Sequence, residues 1–478
     1  MNATDETAPP SGADRAMHDT LARQRAAFLR DGPPTLAERR RDLKKLKDAL
    51  LARQDAFVAS LDADFGHRSR QESLLLDVGS TVGAINYLHR NLRRFMRPER
   101  RQVGTIFKPA SGKVVYQPLG AVGIASPWNF PVSLALTPLA TALAAGNRVM
   151  LKPSEMTPAT TDLIAAMLAE IFNEEQVAVV TGDAETGRAF TSLPFDHILF
   201  TGSTPVGRAV MRAAAENLVP VTLELGGKSP VLVDQGYPMA TAARRIAFGK
   251  LANCGQICTS PDYVVLPRGE VEDFVASYTQ AVDQLYPNIE SNPDYSWVVN
   301  ERHFARLSGL VEDAKAKGAR AIELGTRQAG NSASRQFPPT LLLDVTDDMV
   351  VMQEEIFGPL LPVVTHDGLD DAIAYVNARP RPLALYFFGN DAESQSAVLE
   401  RTTSGGVVIN DTILHYAQED MPFGGIGPSG MGAYHGPEGF KTMSHVKAVY
   451  KQARFNLVDF VRPPFGGLFE FVLVRVLR

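Results

Sequence analysis

From Leu119 onward the chain repeats one rhythm, a short apolar strand followed by a helix. Ala121–Ser126 reads as a strand, and Ser133–Ala145 as a small-residue helix ended by Gly146-Asn147. Arg148–Leu151, Val177–Val180, His197–Phe200 and Val221–Leu225 read as further strands, with Thr157–Phe172 and Thr204–Leu218 as helices between them. Alternation at this spacing implies a buried parallel sheet with helices on both faces. Such sheets bind nucleotides at the carboxyl ends of their strands, where Asn129, Lys152, Gly202 and Glu224 all fall. A second alternating block follows Ser229: strands Pro230–Val233, Tyr263–Leu266 and Ala384–Phe388, helices Met239–Asn253, Val271–Leu285, His303–Lys317 and Ala372–Asn377. The expected class is α/β.

The flanks read differently. Leu36–Leu61 carries an apolar stripe with Leu43, Leu46 and Leu50, and Leu74–Phe95 has apolar residues at helical spacing. Arg39-Arg40-Arg41 fits a solvated helix face. Around Arg101–Gln117 the pattern turns to alternation, with Pro109 and Gly112 inside it, and predicts a β-hairpin or extended arm. Leu468–Arg478 is apolar but broken by Glu470 and Arg475. At that length it is too short for the about 20 residues a bilayer span requires, leaving a docking segment or a membrane-surface helix.

A length of 478 residues implies two or three domains. The net charge of -5, with no basic aromatic-interleaved patch, argues against nucleic acid as a partner. The nine histidines are scattered away from the cysteines, so no metal site is expected. Two cysteines are too few for a disulfide framework, and Met1–Ala13 is polar, so a reducing cytoplasm is the expected compartment.

Both cysteines sit in Asn253-Cys254-Gly255-Gln256-Ile257-Cys258-Thr259. Leu223-Glu224-Leu225-Gly226-Gly227-Lys228 places one acid in an apolar, glycine-flanked segment, which is costly unless the acid is used or paired. Pro127-Trp128-Asn129-Phe130-Pro131 ends a strand with an amide. A thiol, a carboxylate and an amide donor make a nucleophile, a base and an oxyanion clamp. Plainer readings stand beside these: Cys254 as a buried small hydrophobe, Asn129 as a turn residue, Trp128 as core filler, Glu224 as an ion-pair partner. Phe200–Gly207 is a strand-to-helix junction that suits phosphate or is a plain turn, and it lacks the G-x-G-x-x-G fingerprint. Lys152-Pro153-Ser154-Glu155 suits ribose hydroxyls or a surface turn equally.

These segments, with Glu354-Glu355-Ile356-Phe357-Gly358-Pro359 and Pro422-Phe423-Gly424-Gly425, resemble the aldehyde dehydrogenase superfamily collinearly from about Leu119 to Gly436. Cys254 and Gly430–Gly436 look like the class 3 branch. Ala63-Asp64-Phe65-Gly66 and Asn292-Pro293-Asp294-Tyr295 look similar to bacterial coniferyl aldehyde dehydrogenases. The resemblance implies a Rossmann-variant cofactor domain (1–100 and 119–228), a catalytic domain (229–436) and a small β bridging element with the tail (101–118 and 437–478), usually joined in a homodimer. It implies Cys258 as nucleophile, Asn129 with the Cys258 N–H as oxyanion donors, and Glu224 as the base that hydrolyses a thioester. Trp128, Lys152, Ser154, Glu155, Gly202, Ser203, Gly207, Leu225, Gly226, Glu355 and Phe357 would bind NAD, with NADP also accommodated. Glu355 would hold the nicotinamide ribose and Phe357 pack beside that ring. Phe130 and Tyr416 suggest an apolar tunnel for coniferyl or medium-chain aldehydes. An acyl-transferring relative that dispenses with Glu224, and a scaffold that lacks Cys258 or Asn129, are the rival readings; His415, Tyr434 and His435 receive no catalytic step.

Overall fold

The computed structural model describes residues 12–325, 334–455 and 462–476. Its first sheet has six strands in the order Gly430–Met431, Val221–Glu224, His197–Thr201, Ala121–Ala125, Arg148–Lys152 and Val177–Val179. All pair in parallel except Gly430–Met431, which returns from far along the chain and lies antiparallel to Val221–Glu224. The central strand Ala121–Ala125 is buried throughout, as a strand covered on both faces must be. The first described helix, Gly12–Asp31, closes one side of this sheet; Gln24 Nε2 donates to the carbonyl of Val149 at 2.9 Å.

The second sheet has seven strands in the order Arg320–Glu323, Thr340–Leu343, Leu360–His366, Tyr263–Pro267, Pro230–Val233, Ala384–Phe388 and Gly406–Ile409, antiparallel only at the first. The expected hairpin is present as Glu99–Arg101 paired with Ser111–Pro118, and Ser444–Lys451 adds a third antiparallel strand from Ser444↔Pro118 to Lys451↔Ser111. The α/β class holds, and its parallel sheets carry the strand ends that the alternation predicted.

Two expected helices are not continuous. Leu36–Leu61 is instead Leu36–Ala52 and Gln54–Phe65, with a break at Arg53. The break turns Phe57, Leu61 and Phe65 inward, where their segment packs on the helix Pro158–Ile171. Leu74–Phe95 opens with a π turn, Ser73–Gly79, before the helix Ser80–Phe95. The wider turn carries Asp77 inward, where its carboxylate accepts from the Ser133 N–H at 2.9 Å and meets Arg68 at 2.8 Å, both side chains fully buried. The helix Ala184–Thr191, capped by Asp183, was not expected. The tail forms a helix over Gly467–Val476 with Phe471, Leu473 and Val474 exposed; Leu477 and Arg478 fall outside the described residues, as does 1–11 of the polar N-terminal segment. No helix among the described residues is long and apolar enough to cross a membrane.

Removing one partner of a buried ion pair leaves an uncompensated charge and costs about 3–5 kcal/mol. Asp77→Ala is therefore expected to lower the thermal midpoint sharply, while Arg68→Met combined with Asp77→Leu recovers most of the loss. Thermal unfolding of the three proteins checks this. A double variant as weak as the single one would contradict it.

Candidate active site

The helix Met239–Leu251 stops short of Asn253, and the backbone then takes three successive left-handed residues: Asn253 (φ 49°), Cys254 (φ 54°) and Gly255 (φ 72°). Only glycine adopts this region freely, so the turn persists because its surroundings hold it. A Cβ on Gly255 would stand 2.4 Å from the carbonyl oxygen of Gly358, which alone requires glycine there. Side chains do the holding. Asn253 Nδ2 donates to the carbonyls of Asn129 at 3.0 Å and Gln256 at 3.3 Å. Gln256 Nε2 donates to the carbonyls of Asn253 and Trp297, and its Oε1 accepts from the Val299 N–H. Both oxygens of Glu72 accept from the Asn253 N–H, at 3.1 and 3.0 Å.

The turn separates the two cysteines. Cys254 is fully buried, with Sγ 3.6 Å from Tyr295 Oη, in keeping with its reading as a small core residue. Cys258 stands on the wall of a cavity of about 830 Å³, shared with Asn129 and Glu224. Its thiol is pushed up to about 12, by burial first and then by the carboxylates of Glu355 and Glu224. Asn129 is buried, and its Nδ2 gives one N–H to the carbonyl of Gln256 at 3.1 Å; an amide nitrogen has a second to offer. Glu224 ends its strand opposite Gly430. Neither of its oxygens has a hydrogen-bond partner among the described residues, and burial holds the carboxyl well above the usual range. The ion-pair reading of Glu224 thus finds no partner.

Trp128, Gly202, Ser203, Leu225, Gly226, Glu355 and Phe357 line the same cavity. Gly226 matters by what it lacks: a Cβ would sit 2.2 Å from both carboxylate oxygens of Glu355. Glu355 is pushed up to about 8 by burial and by Asp262, and its Oε1 is buried without a partner. Phe357 meets Trp128 edge-on, with ring centroids 5.4 Å apart. Lys152, Ser154, Glu155 and Gly207 lie beyond the lining. Lys152 Nζ is 3.2 Å from Glu155 Oε2 at the end of its strand, Ser154 Oγ accepts from the Met156 N–H, and Gly207 lets Leu225 pack on the helix Thr204–Glu216.

Several contributors went unread. Lys228 donates to the carbonyls of Val351 at 2.7 Å and Glu354 at 2.9 Å and pairs with Asp262, which ties the Glu355 loop to the glycines. His303 and Arg306 reach the cavity from the helix Glu301–Ala316, and Arg306 donates to the carbonyls of Glu355 and Ile356. No local pattern marks these two; Glu72, an acid beside the apolar Leu74–Leu76, did leave a signal.

A dinucleotide fits this geometry. The cavity extends from Cys258 to the start of the helix Thr204–Glu216, whose first N–H groups suit phosphate, and it holds a buried acceptor in Glu355 beside a wall of glycines. A thiol, a partnerless carboxylate and an amide donor facing one apolar-walled space are suited to attack on a carbonyl, stabilisation of the oxyanion and activation of water.

Comparison with known proteins agrees. The family model described as the aldehyde dehydrogenase family matches residues 7–449. A probable coniferyl aldehyde dehydrogenase of Pseudomonas aeruginosa is 54% identical over 456 residues, 95% of each chain. The substrate-bound AldH of Staphylococcus aureus superposes with a TM-score of 0.91 at 36% identity, over 96% of this chain and 99% of that one. A Mycobacterium tuberculosis aldehyde dehydrogenase complexed with NAD+ does so at 0.84 and 32% identity, over 93% and 91%. An NAD(P)-dependent aldehyde-oxidising enzyme, the chain belongs to the aldehyde dehydrogenase family.

Proposed function

We propose that the enzyme oxidises coniferyl aldehyde, or a similar aromatic or medium-chain apolar aldehyde, to the acid with NAD as preferred cofactor. The observation that carries this reading is the shared cavity of Cys258, Asn129 and Glu224, read beside the coniferyl name of the Pseudomonas aeruginosa relative. Cys258 gives its proton to solvent water, and its Sγ then attacks the aldehyde carbon and forms a thiohemiacetal. The free N–H of the Asn129 amide and the backbone N–H of Cys258 meet the oxyanion, each such donor being worth about 3 kcal/mol. A dinucleotide bound there would supply the acceptor for the hydride that the thiohemiacetal carbon loses in becoming a thioester. Glu355 would hold its nicotinamide ribose, and Phe357 and Trp128 would pack beside the nicotinamide. Glu224, once ionised, takes a proton from water to cleave the thioester; since burial raises its pKa, this step quickens as pH rises.

Gly202, Ser203, Leu225 and Gly226 give the dinucleotide close backbone approach. Lys152 and Glu155 meet the adenosine ribose, with Ser154 and Gly207 supporting that end. A 2′-phosphate there meets the Glu155 carboxylate, an effect opposed by Lys152, so NADP is disfavoured rather than excluded. We assign 1–100 and 119–228 to cofactor binding, 229–436 to catalysis, and 101–118 with 437–478 to a bridging element. The exposed strand Ser444–Lys451 then offers an edge for a homodimer in the cytoplasm.

Cys258→Ala is expected to abolish oxidation and Cys254→Ala to leave most of it; steady-state rates decide, and equal losses would sink the assignment. Glu224→Gln is expected to release one burst of reduced cofactor and then turn over slowly, seen by rapid mixing. Loss of the burst itself would give Glu224 an earlier role. A panel of cinnamyl and aliphatic aldehydes with NAD and NADP should rank coniferyl or medium-chain substrates highest by kcat/KM, with NAD ahead. A preference for acetaldehyde, or for NADP, would overturn that part.

A further inference from the structure

The turn that precedes Cys258 is gripped from a part of the chain that takes no part in the chemistry. Glu72 belongs to the N-terminal helical layer, one residue before the π turn and 181 positions from Asn253. Its two oxygens share the Asn253 N–H, and Oε2 also accepts from Ser296 Oγ at 2.8 Å. Ser296 Oγ in turn accepts from the Ser69 N–H at 3.1 Å, which closes the clamp on the helical side. Ala252 just before it has an extended ψ of 132°, so the Asn253 N–H points away from any helical acceptor and needs one from elsewhere. Glu72, pushed up to about 7 by burial, supplies a charge-assisted bond there when ionised, about twice as strong as a neutral one. From Asn253 the connection to the reacting groups is short. Its Nδ2 donates to the carbonyl of Asn129 and to that of Gln256, and the Gln256 carbonyl is the acceptor that orients the Asn129 amide.

We propose that Glu72 is a positioning residue of the reaction: by fixing the Asn253 N–H it sets the Cys258 thiol against the Asn129 amide. This rests on the assignment of Cys258 as nucleophile and Asn129 as oxyanion donor. Glu72 itself touches neither substrate nor cofactor. Its effect is on the fit to the transition state, so it acts on kcat and leaves dinucleotide binding alone.

The test uses the full-length enzyme with coniferyl aldehyde and NAD. Glu72→Ala should lower kcat about 10- to 100-fold, the scale of a displaced reacting group, with KM for NAD within about twofold of wild type. Glu72→Gln retains a carbonyl oxygen that can accept from the Asn253 N–H and should recover kcat to within about fivefold. A purely structural bond would lower the thermal midpoint of Glu72→Ala and leave the kcat of the folded enzyme unmoved; that result overturns the proposal. Should Glu72→Ala fail to fold, Glu72→Asp carries the test, since its shorter side chain cannot span both partners; a wild-type kcat there also overturns it. Cys258→Ala is run alongside for its burst of reduced cofactor. A burst that survives in Cys258→Ala defeats the nucleophile assignment itself, whereas wild-type kcat in Glu72→Ala with no burst in Cys258→Ala defeats only the positioning role.

Discussion

Everything around Cys258 depends on keeping three successive residues in a backbone region that L-amino acids avoid. Asn253 and Cys254 each carry a Cβ into that region, at a cost of order 1 kcal/mol or more. The turn is worth this because a continued helix would carry Cys258 onto another face and leave the Asn129 amide without its acceptor on Gln256. Its supports come from three places: Glu72 from the helical layer, Asn129 from the first sheet, and Trp297 and Val299 from the segment before the helix Glu301–Ala316. The thiol is therefore located by the agreement of distant segments, which is how a strained conformation is usually kept.

The same crowding sets the electrostatics. Glu224, Glu355 and Cys258 face one cavity, and burial raises all three. The two carboxylates add to burial in raising the cost of charging Cys258, which holds the thiol in its protonated form. An incoming aldehyde therefore meets a protonated thiol in a cavity that arginines such as Arg306 also line. Gly226 and Gly255 make the arrangement possible, since a methyl group at either would collide with Glu355 or with the backbone of Gly358.

Much of the first sheet was legible because its strands are short, apolar and separated by helices with clear ends such as Gly146. Cys258, Glu224 and Asn129 were legible because each is a chemically conspicuous residue set in an apolar or glycine-rich frame. What escaped is long-range by nature. Arg53 breaks a helix without glycine or proline, because the partner helix Pro158–Ile171 demands a change of direction. The π turn adds no residue type that announces it; only the burial of Asp77 against Arg68 explains it. Arg306 acts through backbone groups that lie close only after folding.

The pairing of Gly430–Met431 with Val221–Glu224 also has a meaning for how the molecule is made. Ribosomes deliver the chain from its N-terminus, so the first sheet emerges with the edge beside Glu224 open and waits about two hundred residues for its last strand. The strand Ser111–Pro118 waits longer still for Ser444–Lys451. During that interval the nascent chain exposes two unpaired edges, one of them next to the cavity, and such edges invite wrong partners. The closing strands thus act as a check on completeness: a chain cut short before Gly430 lacks both the seal beside Glu224 and the third strand of the arm.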